Sequence, residues 1–162
     1  MKCSVYIDIE TTGLSLQRES LTVIGLHIDY GNQSQTIQLV GNDICTSKLV
    51  KLIRKDAALY SYNGSRFDLP FIKAKLGIDL AEHCVHRDLM YDCWDQNIYG
   101  GLKEVERKLG IERKVVGVDG FMAVQLWYDY ERHGDEQALA TLLEYNREDV
   151  VNLKALRQKL SV

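Results

Sequence analysis

The hydrophobic pattern of the chain contains two kinds of segment. In the first kind, apolar residues alternate with polar ones or form short runs, which is typical of β-strands. These predicted strands are Lys2–Ile9, Leu21–Tyr30, Gln33–Val40, Ala58–Tyr62 and Val85–Asp88. In the second kind, apolar residues recur every three to four positions, which predicts helices. The predicted helices are Ile44–Lys55, Arg66–Leu76, Leu89–Asn97, Leu102–Gly110, Gly120–His133 and Glu136–Leu160.

Turn and cap residues separate these segments. Gly31 and Asn32 mark a hairpin between the second and third strands, and Asn42 or Asp43 is placed to cap the first helix. Three leading antiparallel strands, followed by alternating strands and helices, predict an α/β fold with a mixed five-stranded sheet flanked by helices. No repeat, low-complexity tract or linker interrupts the 162 residues. We therefore expect one domain spanning residues 1–162.

Composition and charge narrow the class of protein. A hydrophobic fraction of 46% with 27% charged residues is typical of a globular protein. The net charge of −3 argues against tight, non-specific binding to long duplex, although it is compatible with an enzyme that binds a few nucleotides. No signal-peptide pattern precedes the first strand, and no apolar run approaches about 18 residues. We therefore expect a cytoplasmic protein that does not cross a membrane.

The four cysteines show no paired framework, so we expect free thiols. The stretch "EHCVHRDLMYDC" brings four metal-binding residue types close together in sequence: His83, Cys84, His86 and Cys93. They could form a zinc site, but their spacing matches no common ligand pattern. The favoured interpretation is a set of unrelated, partly buried side chains.

A first acidic motif lies in the first predicted strand. Asp8 and Glu10 are two residues apart in "YIDIETTGL", so strand geometry points both carboxylates to one face. The alternative is a solvated strand edge followed by a Thr-Gly turn. Against that alternative, Asp and Glu are poor strand formers, and here both share one face of an otherwise apolar element.

Two further motifs follow. Asp68 is near the start of a helix, where it could simply stabilise the helix dipole, but the nearby Asn63 and Phe67 suit the sugar and base of a nucleotide. Tyr145 and Asp149 are four residues apart in the last predicted helix and therefore share a face. Tyr145 could simply pack and Asp149 could be solvated. However, the apolar residues around Asp149 place it near the buried stripe, where a carboxylate needs a partner or a metal.

Carboxylates gathered without basic partners repel one another, so a shared site would require divalent cations. Four such groups suit a centre that cleaves phosphodiesters with two metal ions. The sequence therefore predicts one metal site built from the three motifs.

Together the motifs resemble the DEDD superfamily of metal-dependent 3′–5′ exonucleases. They are most similar to its DEDDy branch, in which a tyrosine lies four residues before the last aspartate. The first motif reads "DIETTGL", the second has the "NGxxFDxP" form, and the third is Tyr-x-x-x-Asp. The stretch "GLKEVERKLGIER" further resembles the compact YprB-type predicted exonucleases. The resemblance runs from Tyr6 to about Leu156 and implies a ribonuclease H-like fold.

The resemblance also implies roles for individual residues. Two Mg²⁺ or Mn²⁺ ions would be held by four carboxylates, with Asp8 as the bridging ligand: Asp8, Glu10, Asp68 and Asp149. Tyr145 would orient the attacking water, since its ordinary pKa near 10 makes it a poor base at neutral pH. The terminal nucleotide would be bound by residues on two sides of a pocket: Thr11, Thr12, Gly13 and Leu14 on one, and Asn63 and Phe67 on the other.

Several basic residues are candidates for the phosphate path, although they could equally be solvated charges: Arg66, Lys103, Arg107, Arg113 and Lys114. The backbone at Gly100 and Gly101 could also bind a phosphate at a helix N-terminus. The resemblance implies a 3′–5′ exonuclease acting on single-stranded 3′ ends and releasing nucleoside 5′-monophosphates. DNA and RNA both remain possible substrates, and a protein partner could supply them. The alternatives are a non-catalytic nucleic-acid-binding module and a structure-specific endonuclease.

Overall fold

The computed structural model describes residues 3–162, so Lys2, the predicted start of the first strand, lies outside the described residues. Five strands are present: β1 (Ser4–Thr11), β2 (Leu21–Asp29), β3 (Ser34–Val40), β4 (Ala58–Ser61) and β5 (Val85–Asp88). They form one sheet in the order β3-β2-β1-β4-β5. The β1–β2 and β2–β3 pairs are antiparallel, whereas β1–β4 and β4–β5 are parallel. The predicted mixed five-stranded sheet is therefore confirmed.

Seven α-helices accompany the sheet within residues 3–162. They are α1 (Thr46–Leu52), α2 (Asp68–Leu76), α3 (Leu80–His83), α4 (Leu89–Asp95), α5 (Leu102–Leu109), α6 (Gly120–His133) and α7 (Glu136–Leu160). Helix α3 was not predicted from the sequence. No helix in this part of the chain is both long enough and apolar enough to cross a lipid bilayer.

The largest difference from the predicted elements is at α1. Residues Gly41–Asp43 form a separate 3-10 turn, and Cys45 precedes α1 without a side-chain cap, so the predicted capping by Asn42 or Asp43 is wrong. The helix also ends before the predicted Lys55. Ile53 is fully buried and already has an extended backbone, because the chain turns there toward β4.

The two faces of the sheet carry different layers of helix, and β1 contributes to both. Val5, Ile7 and Ile9 pack into a core with residues of α1 and α2. Tyr6 lies on the opposite face, in a core with residues of α4, α5 and α7. Strand alternation places Asp8 and Glu10 on the Tyr6 face. Both carboxylates therefore point toward the layer that contains α7.

Candidate active site

Three carboxylates converge where β1 meets α7. Asp8 and Glu10 come from β1 and Asp149 comes from α7, and each offers an oxygen within 4.8 Å of the others. Glu10 and Asp149 are buried and Asp8 is half-buried. Within residues 3–162 this is the one group of three or more such ligands close enough to hold a metal ion.

The electrostatics of this cluster favour a bound cation. Burial, followed by the charge of Asp149, raises the pKa of Asp8 and of Glu10 well above their ordinary values. Burial also raises the pKa of Asp149 to about 6. Ionised carboxylates this close are unfavourable unless a cation offsets them. Hard oxygen donors are the ligands that Mg²⁺ and Mn²⁺ prefer, so the donor set fits a divalent metal.

Asp68, the fourth predicted ligand, is the first residue of α2 and lies on the wall of a cleft that also contains the three-carboxylate cluster. One of its oxygens accepts a hydrogen bond from the Ile9 N–H at 3.1 Å. Burial raises the pKa of Asp68 to about 7. Asp68 is therefore tied to β1 and shares the cleft of the cluster, although it is outside the 4.8 Å group.

A buried amide network supports Asp8 from behind. The Asn146 Nδ2 group donates to Asp8 Oδ2 at 3.1 Å, and the Gln38 amide donates to Asn146 Oδ1 at 2.9 Å. Gly25, which pairs with Asp8 across the sheet, makes room for this contact: an added Cβ would lie 2.1 Å from Asn146 Oδ1. Sequence reasoning missed Asn146 and Gln38, and the only signal was the position of Asn146 next to Tyr145.

A buried ion pair adjoins Asp149. The Arg113 guanidinium contacts Asp149 Oδ1 at 2.6 Å and Glu106 Oε2 at 2.8 Å, while only 12% of its side chain is exposed. Glu148 accepts hydrogen bonds from the Lys114 and Val115 N–H groups and so attaches the same segment to α7. Arg113, which the sequence left as either a phosphate-path candidate or a solvated charge, is therefore engaged with two carboxylates. Its contact holds the Asp149 side chain in one orientation.

Tyr145 is buried one helical turn before Asp149. Its ring lies 4.6 Å from Lys103 Nζ and 5.5 Å from the Arg113 guanidinium carbon, measured to the ring centre. Burial, followed by the nearby carboxylates Asp149 and Glu10, raises the pKa of Tyr145 above its ordinary value. The hydroxyl therefore stays protonated at neutral pH and can donate a hydrogen bond, but it cannot serve as a base.

Two clefts meet at the cluster, and both are lined by its residues Asp8 and Asp149 and by the neighbouring Tyr145. The first, of about 770 Å³, has a polar rim that includes Asn63, Arg66, Gly100, Gly101 and Lys103. The second, of about 640 Å³, contains the predicted nucleotide-binding residues Thr11, Thr12, Gly13, Leu14, Asn63 and Phe67.

The second cleft also contains a residue that sequence reasoning missed. Phe121, at the start of α6, lines this cleft with 74% of its surface exposed. Leu14 on the same cleft is 83% exposed. Two large apolar side chains left in water at the mouth of one cleft suit a ligand with a flat apolar face. The only sequence signal for Phe121 was its position two residues after Asp119, which caps α6.

Asp88, at the end of β5, is a buried carboxylate of another kind. Its two oxygens accept from the Asn63 and Ser65 N–H groups at 2.8 and 3.0 Å, and from the Met90 N–H at 3.1 Å. The Ser65 hydroxyl also donates to it, at 2.5 Å. Asp88 thus caps α4 and fixes the turn that carries Asn63, whose φ is 59°.

The four residues considered for zinc do not converge. His83 contacts the Ile53 carbonyl oxygen at 2.8 Å, and His86 contacts the Ser61 hydroxyl at 2.8 Å. Cys84 and Cys93 belong to cores on opposite faces of the sheet. These side chains therefore have separate structural environments, as the favoured interpretation of the sequence expected.

Comparison with known proteins places this geometry in a family. The model of the RNase_H superfamily matches residues 5–161. NrnC from Brucella melitensis is similar over 98% of this chain and 72% of its own, with 25% identity and a TM-score of 0.66. A structure of B. melitensis NrnC with bound Mg²⁺ is similar over 98% of this chain and 71% of its own, with 24% identity and a TM-score of 0.67.

A more distant likeness is to E. coli exonuclease I in a complex with single-stranded DNA, with 11% identity and a TM-score of 0.51. That similarity covers 83% of this chain and 42% of exonuclease I, so it shows the fold alone. The curated proteins include no significant sequence match. Because the family model matches nearly the whole chain, and the mixed five-stranded sheet agrees with it, this protein belongs to the ribonuclease H superfamily.

Proposed function

We propose that this chain is a divalent-metal-dependent 3′–5′ exonuclease of the DEDDy type. Its substrates are single-stranded DNA or RNA 3′ ends, and its products are nucleoside 5′-monophosphates. The observation that carries this proposal is the convergence of Asp8, Glu10 and Asp149 within 4.8 Å at the junction of two clefts. An enclosed acidic cluster beside nucleotide-sized clefts suits hydrolysis of a phosphodiester.

In this proposal the four carboxylates Asp8, Glu10, Asp68 and Asp149 would hold two Mg²⁺ or Mn²⁺ ions. When bound, such ions supply an activated water and stabilise the leaving 3′ oxygen. Asn146 holds Asp8, and Arg113 holds Asp149, so that both carboxylates keep their orientation. Groups that hydrogen-bond to metal ligands in this way typically change the metal affinity by about 10- to 100-fold.

Tyr145 and Lys103 act on the substrate side of the cluster. The protonated Tyr145 hydroxyl donates to the attacking water and orients it, which its raised pKa supports. Lys103 lines the first cleft next to the Tyr145 ring and also donates to the Val118 carbonyl oxygen. This contact keeps the Lys103 ammonium group near the position of the scissile phosphate, where it offsets negative charge.

The second cleft is the proposed pocket for the 3′-terminal nucleotide. Its apolar residues, Leu14, Phe67 and Phe121, suit the faces of a base, and the polar backbone and side chains of residues 11–13 suit the sugar. One structural neighbour supports a nucleic-acid substrate, since B. melitensis NrnC has been solved with bound pGG.

Labelled oligonucleotides test the proposal. Purified protein is incubated with 5′-labelled or 3′-labelled DNA and RNA of equal sequence, with Mn²⁺, Mg²⁺ or chelator. We expect a ladder of 5′-labelled products that shorten one nucleotide at a time, immediate release of the 3′ label as a mononucleotide, and no reaction in chelator. One internal cut would support an endonuclease instead. Binding without metal-dependent cleavage, while a control nuclease works, would support the non-catalytic alternative.

A further inference from the structure

One exposed cation on the rim of the first cleft has no acidic partner. Arg66 lies in the turn between β4 and α2, and it lines the cleft that reaches Asp8, Tyr145 and Asp149. Within residues 3–162 its guanidinium makes no ion pair, whereas the nearby Arg87 is paired with Asp92 at 2.6 Å. Arg66 is therefore a positive charge at the entrance of the site that is still available to an anion.

Two aromatic rings hold this cation. The Arg66 guanidinium carbon lies 5.3 Å from the centre of the Trp94 ring and 5.8 Å from that of Tyr91. Contacts of this geometry are attractive cation–π interactions. They restrict the side chain without neutralising its charge, which a carboxylate partner would do. Arg66 thus combines a fixed position with a free charge.

The same two rings are placed to contact a ligand themselves. Tyr91 and Trp94 are three residues apart on α4 and pack edge to face, with ring centres 5.3 Å apart. The inner side of α4 is formed by Leu89, Met90 and Cys93, which are buried, so the aromatic pair is not needed to fill the core. Tyr91 is 40% exposed. Trp94 is half-buried, so the pair is partly open to solvent, and aromatic rings beside a basic group are the composition of a single-strand binding surface.

We propose that Arg66, Tyr91 and Trp94 form a subsite for the nucleotides on the 5′ side of the scissile bond. This inference rests on the proposed function, which assigns the terminal nucleotide to the second cleft and leaves the first cleft for the rest of the strand. The Arg66 guanidinium binds a backbone phosphate, and the aromatic rings stack with a base. The subsite favours substrates long enough to reach it, of three or more nucleotides, over dinucleotides.

Trp94 supplies its own binding signal, because the chain contains only two tryptophans and the other, Trp127, is 8% exposed. In a Trp127→Phe, Asp8→Asn background, which leaves Trp94 as the only tryptophan and blocks cleavage, oligothymidylates and oligouridylates of two to six nucleotides are titrated with excitation selective for tryptophan. We expect Trp94 fluorescence to be quenched by strands of at least three nucleotides and to change little with dinucleotides. Binding of a six-nucleotide strand is measured separately, by the fluorescence anisotropy of a label on the strand. If the strand binds and Trp94 fluorescence is unchanged, the subsite proposal is overturned.

Variants then separate the subsite from the rest of the site. Tyr91→Ala and Trp94→Ala should each weaken binding of a six-nucleotide strand about tenfold, and change dinucleotide binding less than twofold. Arg66→Gln should reduce the salt dependence of six-nucleotide binding by about 0.7 in the slope of log K against log salt, which corresponds to one phosphate contact. Arg87→Gln, whose cation is already paired, is the matched control and should leave the slope unchanged. Equal effects on dinucleotides and six-nucleotide strands would overturn the proposal.

Cleavage by the protein with an intact Asp8 is measured in parallel. If it binds long strands through Trp94 but does not cleave them with Mn²⁺ or Mg²⁺, the exonuclease proposal fails and the subsite stands. If it cleaves, and the Arg66, Tyr91 and Trp94 variants cleave all lengths at the unaltered rate, the subsite fails and the exonuclease proposal stands.

Discussion

The cluster of Asp8, Glu10 and Asp149 and the carboxylate of Asp88 lie near the carboxyl ends of parallel strands of one sheet. Asp88 accepts hydrogen bonds from three backbone N–H groups and a serine hydroxyl, and these four donors stabilise its negative charge. In the cluster, the Asn146 amide donates a hydrogen bond to Asp8, and the Arg113 guanidinium pairs with Asp149. The three carboxylates otherwise lie close to one another.

The difference separates a structural carboxylate from a functional one. Burying a charge is unfavourable unless it is paired or hydrogen-bonded. Asp88 meets that condition without a ligand and therefore stabilises the turn that carries Asn63. The three clustered carboxylates meet it only in part, through Asn146 and Arg113, and burial still raises the pKa of each of them. They are arranged for a cation that comes from outside the chain.

Asp8→Asn should abolish nearly all exonuclease activity while leaving the fold intact. We expect the rate to fall about 10²- to 10³-fold, since removing one strong electrostatic group from an active site costs about that much. The free energy of unfolding in chelator should be unchanged or higher, because one source of like-charge repulsion is gone. Initial rates with a labelled oligonucleotide and urea unfolding measure the two effects. Near-normal turnover would show that Asp8 is not a metal ligand.

Asp88→Asn should have the opposite profile and mainly reduce stability. An amide offers one acceptor oxygen where four donors now converge, so backbone N–H groups lose their partner. We expect the free energy of unfolding to fall by about 3 kcal/mol, the scale of a lost hydrogen bond to a charged group with a buried donor left behind. Urea unfolding with and without Mn²⁺ measures it, and the loss should be the same in both. A stable Asp88→Asn protein would contradict the structural role.

Metal should stabilise the protein only through the cluster. At a free Mn²⁺ concentration of 100 times Kd, binding to the folded state alone adds about 2.7 kcal/mol to the free energy of unfolding. We expect this increase in the unaltered protein and in Asp88→Asn, and its loss in Asp8→Asn. Thermal unfolding across a Mn²⁺ titration makes the comparison. An equal increase in Asp8→Asn would place the bound metal elsewhere.

Asn146→Ala should weaken metal binding and turnover through Asp8. Removing a group that orients a metal ligand typically costs about 10- to 100-fold in affinity or activity. Gln38→Ala should have a smaller effect in the same direction, since Gln38 acts by holding Asn146. The double variant should then be no worse than Asn146→Ala alone. Isothermal titration with Mn²⁺ supplies the readout, and additive effects would mean that the two residues act independently.

Without metal, raising the pH should destabilise the protein. Burial raises the pKa of Asp68 to about 7 and that of Asp149 to about 6, above the value near 3.9 expected in the unfolded chain. Between about pH 4 and pH 7 the folded state therefore binds more protons than the unfolded state, and the free energy of unfolding falls as pH rises. Urea unfolding in chelator should show a shallower fall for Asp68→Asn. Identical pH profiles would contradict the raised pKa of Asp68.

The predicted and observed elements differ where tertiary contacts override local pattern. The strong alternation of β1 and the long periodic stripe of α7 were enough to place Asp8 and Glu10 on one face of a strand and Asp149 near the buried stripe of a helix, whereas the contact between the two elements is seen only in the structure. Helix α1 was predicted too long because its apolar periodicity continues through Ile53, which packs into the core from an extended backbone. Helix α3 has four residues, too few to show a period.

The two-residue spacing that puts Asp8 and Glu10 on one face of a strand, and the four-residue spacing that puts Tyr145 and Asp149 on one face of a helix, are visible in the amino-acid sequence alone. Those faces follow from backbone geometry alone, so they can be read without knowing the fold. Which polar side chains contact the carboxylates depends on tertiary packing and is not visible in the sequence. Asn146, Gln38 and Arg113 are polar residues without a motif, and their contacts depend on how α7 and the segment after α5 pack against the sheet. The role of Gly25 likewise depends on tertiary packing, because its lack of a side chain leaves the space that Asn146 occupies.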